Sequence, residues 1–329
     1  MTPTSLLPAG LVASVLVVVW LALALVWIVV LERRRRPGDA RLPGHVFPFV
    51  PGLVLLLWAF AETLPLPLQR FVALALLMAL SMWGCLTLVW ILGSALRNHS
   101  LMDIAYPLAP WASLLVAWWS TGADTSAHTL ALLVCVTLWA WRLSIYLGWR
   151  YLPHGEEARY ARWRERGGAD WWWWSYLQIH ITQGVLVWIW TWPMALALGT
   201  SRPFDAWTWL GMAVWTTGYC FQVVGDAQMH RFRRDPSTKG RVMDRGLWAW
   251  SRHPNYFGEA VMWLGYGVFA LAAPWGWLGL PSVLFVFWFM NQGSATRMTE
   301  RYLLRSRPGY AEYMTRVPTF FPRFPRSRP

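Results

Sequence analysis

Residues 70–94 read RFVALALLMALSMWGCLTLVWILGS, a stretch whose sole charge, Arg70, stands at its edge. Crossing a hydrocarbon layer of roughly 30 Å takes about 20 predominantly apolar helical residues, and this run supplies them. It predicts a transmembrane helix. Comparable windows fall near 8–31, 46–64, 104–120 and 127–149, then near 175–200, 204–225, 256–273 and 275–292. The expectation is an all-α, polytopic membrane protein of about nine spans. The first run is too long for the apolar core of a cleaved signal and is followed by Glu32 and Arg33 to Arg36, so it reads as a retained helix.

Composition agrees. Across 329 residues the chain is 56% hydrophobic and 14% charged, with mean hydropathy +0.33, which excludes an ordinary soluble domain, a disordered chain and a coiled coil. Its 28 Trp suit rings anchored at both lipid interfaces, and the Trp171 to Trp174 run reads as part of such a belt. Cys85, Cys135 and Cys220 sit in apolar runs without metal-site or disulfide spacing and read as packing residues. No metal site is expected.

The net charge of +13 raises the question of nucleic acid. Nine spans with the N-terminus outside place 32–45, 95–103, 150–174, 226–255 and 293–329 in the cytoplasm. Those segments hold all of the 29 Lys and Arg except Arg70, Arg142 and Arg202. Such a bias is the ordinary orientation signal of an inner-membrane protein, and it puts the C-terminus in the cytoplasm. Membrane lipid, not nucleic acid, is the partner it implies.

Charges inside the lipid zone are costly and ask for a partner or a function. Arg142, Tyr146 and Arg150 recur every four residues and share a helix face, with Glu62 and Asp103 as candidate counter-ions. Gln222, Asp226, His230 and Arg233 form a second stripe that runs out of the seventh window, as the wall of a polar cavity would. In the next helix Pro254 suits the first turn, while Asn255, Glu259, Trp263 and Tyr266 line one face. Glu259 then lies about one turn into lipid and wants a partner, for which Arg241, Arg245 and Arg252 are candidates. The basic, aromatic segment 297–329 reads as a surface amphipathic helix, or as a lid over an anionic ligand.

No phosphate loop, dinucleotide Gly fingerprint, zinc-protease pattern or nucleophile elbow is present. What remains is a guanidinium cluster, Arg231, Arg233, Arg234, Arg241, Arg245 and Arg252, fit to grip phosphates, beside amides and carboxylates fit for sugar hydroxyls or a carboxamide. A phosphorylated dinucleotide matches that inventory.

The stretches GDAQMHRFRRD at 225–235 and GLWAWSRHPNYFGE at 246–259 resemble the C-terminal cofactor domain of the steroid 5-alpha-reductase superfamily, in particular its bacterial integral-membrane branch. RNHSLMD at 97–103, WRLSIYLGWR at 141–150, EEARYARWR at 156–164 and RPGYAEYMTRVPTFFPRFP at 307–325 extend the resemblance. Residues 1–95 are covered weakly and form an N-terminal helical part; 96–329 form the superfamily-like domain, with its cofactor-binding portion at about 220–329.

The resemblance implies NADPH and reduction of a carbon–carbon double bond in a lipophilic small-molecule substrate. By position it assigns cofactor contacts to Asp226, Arg233, Arg241, Asn255 and Glu259, joined by Arg252, His253 and Tyr256 of the intervening motif. Gln222 and His230 belong to the same set but depart from the eukaryotic pattern, which has Asn and Arg there. The family's catalytic Glu and Tyr lie where the similarity fades. An enolate needs a hydrogen-bond donor backed by a buried carboxylate, which makes Tyr146, Glu62 and Asp103 the catalytic candidates.

Two rival readings follow. The Arg-His-Pro-x-Tyr-x-Gly-Glu element is also similar to that of isoprenylcysteine carboxyl methyltransferases, which use S-adenosylmethionine; that ligand has no phosphate and little use for the arginines of 231–245. A non-enzymatic lipid-binding protein is the other.

Overall fold

A computed structural model describes residues 9–34, 52, 55, 56, 58–198 and 201–324. The described residues are helical, as expected. Three helical stretches, Leu66–Ala95, Leu101–Ser120 and Ala127–His154, are long and apolar enough to cross a membrane, and a fourth counts if Ala158–Trp190 and Trp192–Leu198, bent by 46°, form one span. The chain is an integral membrane protein. Within the window expected at 46–64, residues 46–51, 53, 54 and 57 lie outside the described residues.

Two compact units divide the chain, one formed by Met1–Thr125 with Val136–Ser201, the other by Ser126–Cys135 with Arg202–Pro329. In the first, α1 (Ala9–Arg34) precedes α2 (Leu66–Ala95). Val72, Ala75, Ala79, Met82 and Leu86 of α2 recur at intervals of three and four and are buried, whereas Leu80 and Leu88 are each 68% exposed. An apolar outer face on an apolar helix is what hydrocarbon contact requires. The inner face meets α8 (Thr182–Trp190), where Trp188 Nε1 donates to the Ala75 carbonyl at 2.7 Å.

Between them come α3 (Leu101–Ala105), α4 (Leu108–Ser120), α5 (Ala127–Tyr151), whose residues up to Cys135 belong to the second unit, α6 (Ala158–Gly167) and α7 (Trp171–Ser175). A π-helical turn, Tyr176–Ile181, leads from α7 into α8, and α9 (Trp192–Leu198) closes the unit. Trp171 departs from the expected interfacial belt: it is buried at 6% exposure, while Trp172 is 63% exposed.

The second unit is built on α10 (Ala206–Arg234) and α11 (Pro254–Leu271). Asp205 caps α10 through a capping box with Thr208, and Pro254 stands in the first turn of α11. The buried face of α10 runs Thr208, Gly211, Trp215, Gly218, Gln222, Gly225, alternating steps of three and four, the seam of two closely packed helices. Glycine makes the approach: a Cβ at Gly218 would stand 2.5 Å from the Gly258 carbonyl, and one at Gly265 would stand 2.9 Å from Trp215 Cα. Then follow α12 (Leu280–Gln292), α13 (Ser294–Ser306) and α14 (Tyr310–Arg316). The segment after α14 folds back into the unit, burying Tyr310, Tyr313, Val317 and Phe320. Ahead of it, α13 presents Arg297, Arg301, Tyr302 and Arg305 on an exposed face.

Candidate functional site

The glycine seam places the polar residues of α10 and α11 in register. One turn beyond the Gly218–Gly258 contact, Gln222 Nε2 donates to Glu259, whose other oxygen accepts from Trp263 Nε1 at 3.0 Å. Glu259 and Gln222 are buried. One turn further, Asn255 Nδ2 donates to Asp226 Oδ1 at 3.1 Å. Four of the residues read as cofactor contacts are thus cross-linked pairwise along the α10–α11 seam. Glu259, for which three arginines are the candidates by sequence, accepts from an amide and an indole. A buried carboxylate is satisfied by well-placed donors as readily as by a charge.

The loop joining α10 to α11 is pinned to the same seam. Gln228 accepts the Leu247 amide at 2.9 Å, and Trp248 Nε1 donates to the Gly225 carbonyl at 3.0 Å. Gly246, with φ +58°, stands where any Cβ would meet the Gln228 amide at 2.4 to 2.6 Å.

The six-arginine cluster divides. Arg231, Arg233 and Arg234 are exposed on the last turns of α10, with His230 half-buried beside them. Arg241 and Arg245 line a cavity of about 580 Å³ whose wall also includes Phe232, Asp244, Glu312 and Arg316. The volume is that of a small-molecule site, roughly 300–1,000 Å³. Asp226, Asn255 and Glu259 are not among its lining residues.

Arg252 and His253 turn the other way. The Arg252 guanidinium donates to Glu300 at 2.8 Å, to the carbonyls of Met314 at 3.0 Å and Val317 at 2.8 Å, and to Thr319 Oγ1 at 2.6 Å. His253 Nε2 lies 3.2 Å from the same Glu300 oxygen and its ring stacks on Tyr256 at 5.3 Å between centroids. Burial raises the Glu300 pKa, but the hydrogen bonds from His253 and Arg252 and the Arg252 charge outweigh it and hold the carboxyl below its usual range. These two residues tie the C-terminal segment down, a role that sequence spacing does not reveal because their partners lie some 50 to 65 positions away.

In the first unit, Asp103 Oδ1 accepts from the buried Tyr160 hydroxyl at 2.7 Å and Oδ2 from Arg159 at 2.8 Å. Asp103 was read as a counter-ion of Arg142 or a catalytic carboxylate; Tyr160 and Arg159 are the partners found. Arg142 Cζ sits 5.2 Å from the Tyr146 ring centroid, a cation–π contact along the shared face. Glu62 falls in the 3-10 turn Ala61–Thr63, and its side chain lies outside what the structure describes. Glu156 accepts the His99 amide at 3.1 Å and pairs with Arg164 at 2.8 Å, while Ser100 Oγ accepts the Glu157 amide at 2.7 Å. The stretches 97–103 and 156–164 therefore form one polar knot. Spacing within either stretch does not reveal the junction, because its bonds join residues 56 or 57 positions apart.

No group of three or more His, Cys, Asp or Glu able to hold a metal is present among the described residues.

Fold and site together define an all-helical integral membrane protein with a carboxylate–amide ladder between two tightly packed helices and an arginine-lined cavity at the loop that joins them. The chain belongs to the family described as "Protein of unknown function (DUF1295)", which matches residues 89–317. It is 29% identical over 279 residues to an uncharacterised protein of Schizosaccharomyces pombe, covering 72% of this chain and 78% of that one. It is 34% identical over 84 residues to the steroid 5-alpha-reductase DET2 of Arabidopsis thaliana, covering 24% of this chain and 30% of that protein. With the human 3-oxo-5-alpha-steroid 4-dehydrogenase 1 it shares 30% over 94 residues, covering 29% of this chain and 34% of that protein. The match thus spans about a third of each steroid-enzyme relative.

Proposed function

We propose that the chain is an NADPH-dependent reductase of a carbon–carbon double bond in a lipophilic substrate, steroid-, isoprenoid- or fatty-like. The observation that carries this is the ladder Gln222–Glu259 and Asp226–Asn255, pairing across α10 and α11 residues that the resemblance assigns to one cofactor. Partial similarity to steroid reductases supports it.

The chemistry of the residues fits such a cofactor. Amide and carboxylate groups of Gln222, Asp226, Asn255 and Glu259 suit a carboxamide and ribose hydroxyls. Arg233 and Arg241 suit phosphate oxygens, and Arg245 adds a second guanidinium beside the cavity. Bound there, NADPH would supply a hydride to one carbon of a double bond conjugated to a carbonyl, and the other carbon would take a proton. On the protein side that step calls for a donor to the developing enolate, for which Tyr146 is the candidate, with Asp103 and Glu62 as candidate carboxylates. We place the chain in an inner membrane with about nine spans and its C-terminus cytoplasmic, the arrangement that gathers its basic residues on one side.

Binding of NADPH, NADH and S-adenosylmethionine in detergent, followed by calorimetry, tests the reading. NADPH should bind, more weakly with Arg233→Ala and with Glu259→Gln. Preference for S-adenosylmethionine would transfer the assignment to a methyltransferase, and binding of none of the three would favour a lipid-binding protein.

A further inference from the structure

Three aromatic side chains in the first unit are buried with polar atoms that meet no partner among the described residues. His99 is 2% exposed, His180 fully buried and Trp171 6% exposed. His99 Nδ1, His180 Nε2 and Trp171 Nε1 each lack a hydrogen-bond partner among the described residues. The rings form one cluster: Trp171 and His180 both meet His99 edge to face, at 5.4 and 5.7 Å between centroids. Buried polar atoms are seldom left unmet, and several together mark a place where another molecule supplies the missing bonds.

The unmet atoms have defined characters. His180 Nδ1 lies 3.3 Å from the Ser175 carbonyl, which can only accept, so Nδ1 carries the proton and Nε2 presents a bare lone pair. Trp171 Nε1–H can only donate. A ligand group that answers both must donate and accept at once. A hydroxyl does this; an ether or carbonyl has nothing to give His180, and an ammonium nothing to accept from Trp171.

Two further features point to the same place. His180 sits in the π-helical turn Tyr176–Ile181, a distortion frequent at functional sites. Gly93 makes room for the second imidazole, since a Cβ there would stand 3.3 Å from His99 Nδ1. The helix that carries Gly93 shows Leu88, Ile91 and Leu92 outward at 68%, 52% and 52% exposure, so the neighbouring solvent is hydrocarbon.

We propose that His99, Trp171 and His180 form a receptor for the hydroxyl group of a lipophilic alcohol. The hydroxyl donates to His180 Nε2 and accepts from the Trp171 indole, with His99 Nδ1 completing its shell. This site is independent of the cofactor reading and stands or falls without it.

Protein labelled with ¹⁵N-histidine, in lipid nanodiscs, is titrated with hexadecanol, cholestanol, hexadecane and hexadecyl methyl ether. At least one alcohol should move the bare Nε2 resonance of His180 upfield, while the alkane and the ether leave it in place. His180→Phe should weaken binding of that alcohol about tenfold, since each lost hydrogen bond of about 1.4 kcal/mol is tenfold in affinity. The wild-type titration stands even where the variant does not fold. Alcohols that leave His180 unmoved, an ether that matches its alcohol, or a scalar coupling showing His99 and His180 bonded directly or through a resident water would overturn the proposal.

Discussion

A Cβ on Gly218 would stand 2.5 Å from the carbonyl oxygen of Gly258, and one on Gly258 would stand 2.5 Å from the carbonyl of Gly218. Neither contact is attainable, so both positions require glycine for α10 and α11 to lie backbone against backbone. That approach brings Gln222 to Glu259 and Asp226 to Asn255.

Gly218→Ala should therefore cost about 1–3 kcal/mol as overpacking, and should weaken NADPH binding by separating the ladder. Gly84, on α2 with nothing within 4 Å of its Cβ position, is the control. Gly84→Ala should be neutral or stabilising by up to about 1 kcal/mol through helix propensity. Thermal unfolding in detergent measures both.

Arg252→Lys should loosen the C-terminal segment, because an ammonium cannot reach the four acceptors that the guanidinium fork serves. Each hydrogen bond of the charged group that is lost costs about 1.5–3 kcal/mol. Limited proteolysis should cut within 307–324 in the variant and spare the parent; equal protection in both would refute the tether.

Acid should act through Glu300. Its carboxyl titrates below the ordinary 4.5 because His253 and Arg252 outweigh the effect of burial. A depressed folded-state pKa stabilises the fold above the unfolded value, and the contribution fades as pH falls through the folded value. Melting temperature should drop on acidification below about pH 4.5 in the parent, and less steeply in Glu300→Gln.

Tyr160 and Tyr146 of the first unit should separate by readout. Tyr160→Phe leaves Asp103 Oδ1 without its donor and should lower stability by about 1–3 kcal/mol. Tyr146→Phe keeps the ring that Arg142 packs on and should slow turnover of the substrate while sparing cofactor affinity. Unchanged turnover would remove Tyr146 from the catalytic candidates.

Much of this was legible before folding. A 25-residue apolar stretch such as 70–94 has one physical solution in water-free surroundings, a helix that bonds its own backbone. The stripe Gln222–Asp226 and the face Asn255–Glu259 also follow from spacing alone, because side chains three and four apart share a face. The glycine seam was legible and overlooked: Gly211, Gly218 and Gly225 recur every seven residues opposite Gly258 and Gly265.

Periodicity is a local property, so it assigns a residue to a face and is silent about what that face meets. Membrane helices and their polar stripes were accordingly set by the amino-acid order, and so was the basic character of the segments between them. The direction of each guanidinium was not. Arg252 stands among residues that read as one cluster with Arg241 and Arg245, yet its acceptors arrive from Glu300, Met314, Val317 and Thr319. A long, flexible cation goes to whichever unmet oxygens the chain brings within reach, and only folding brings them.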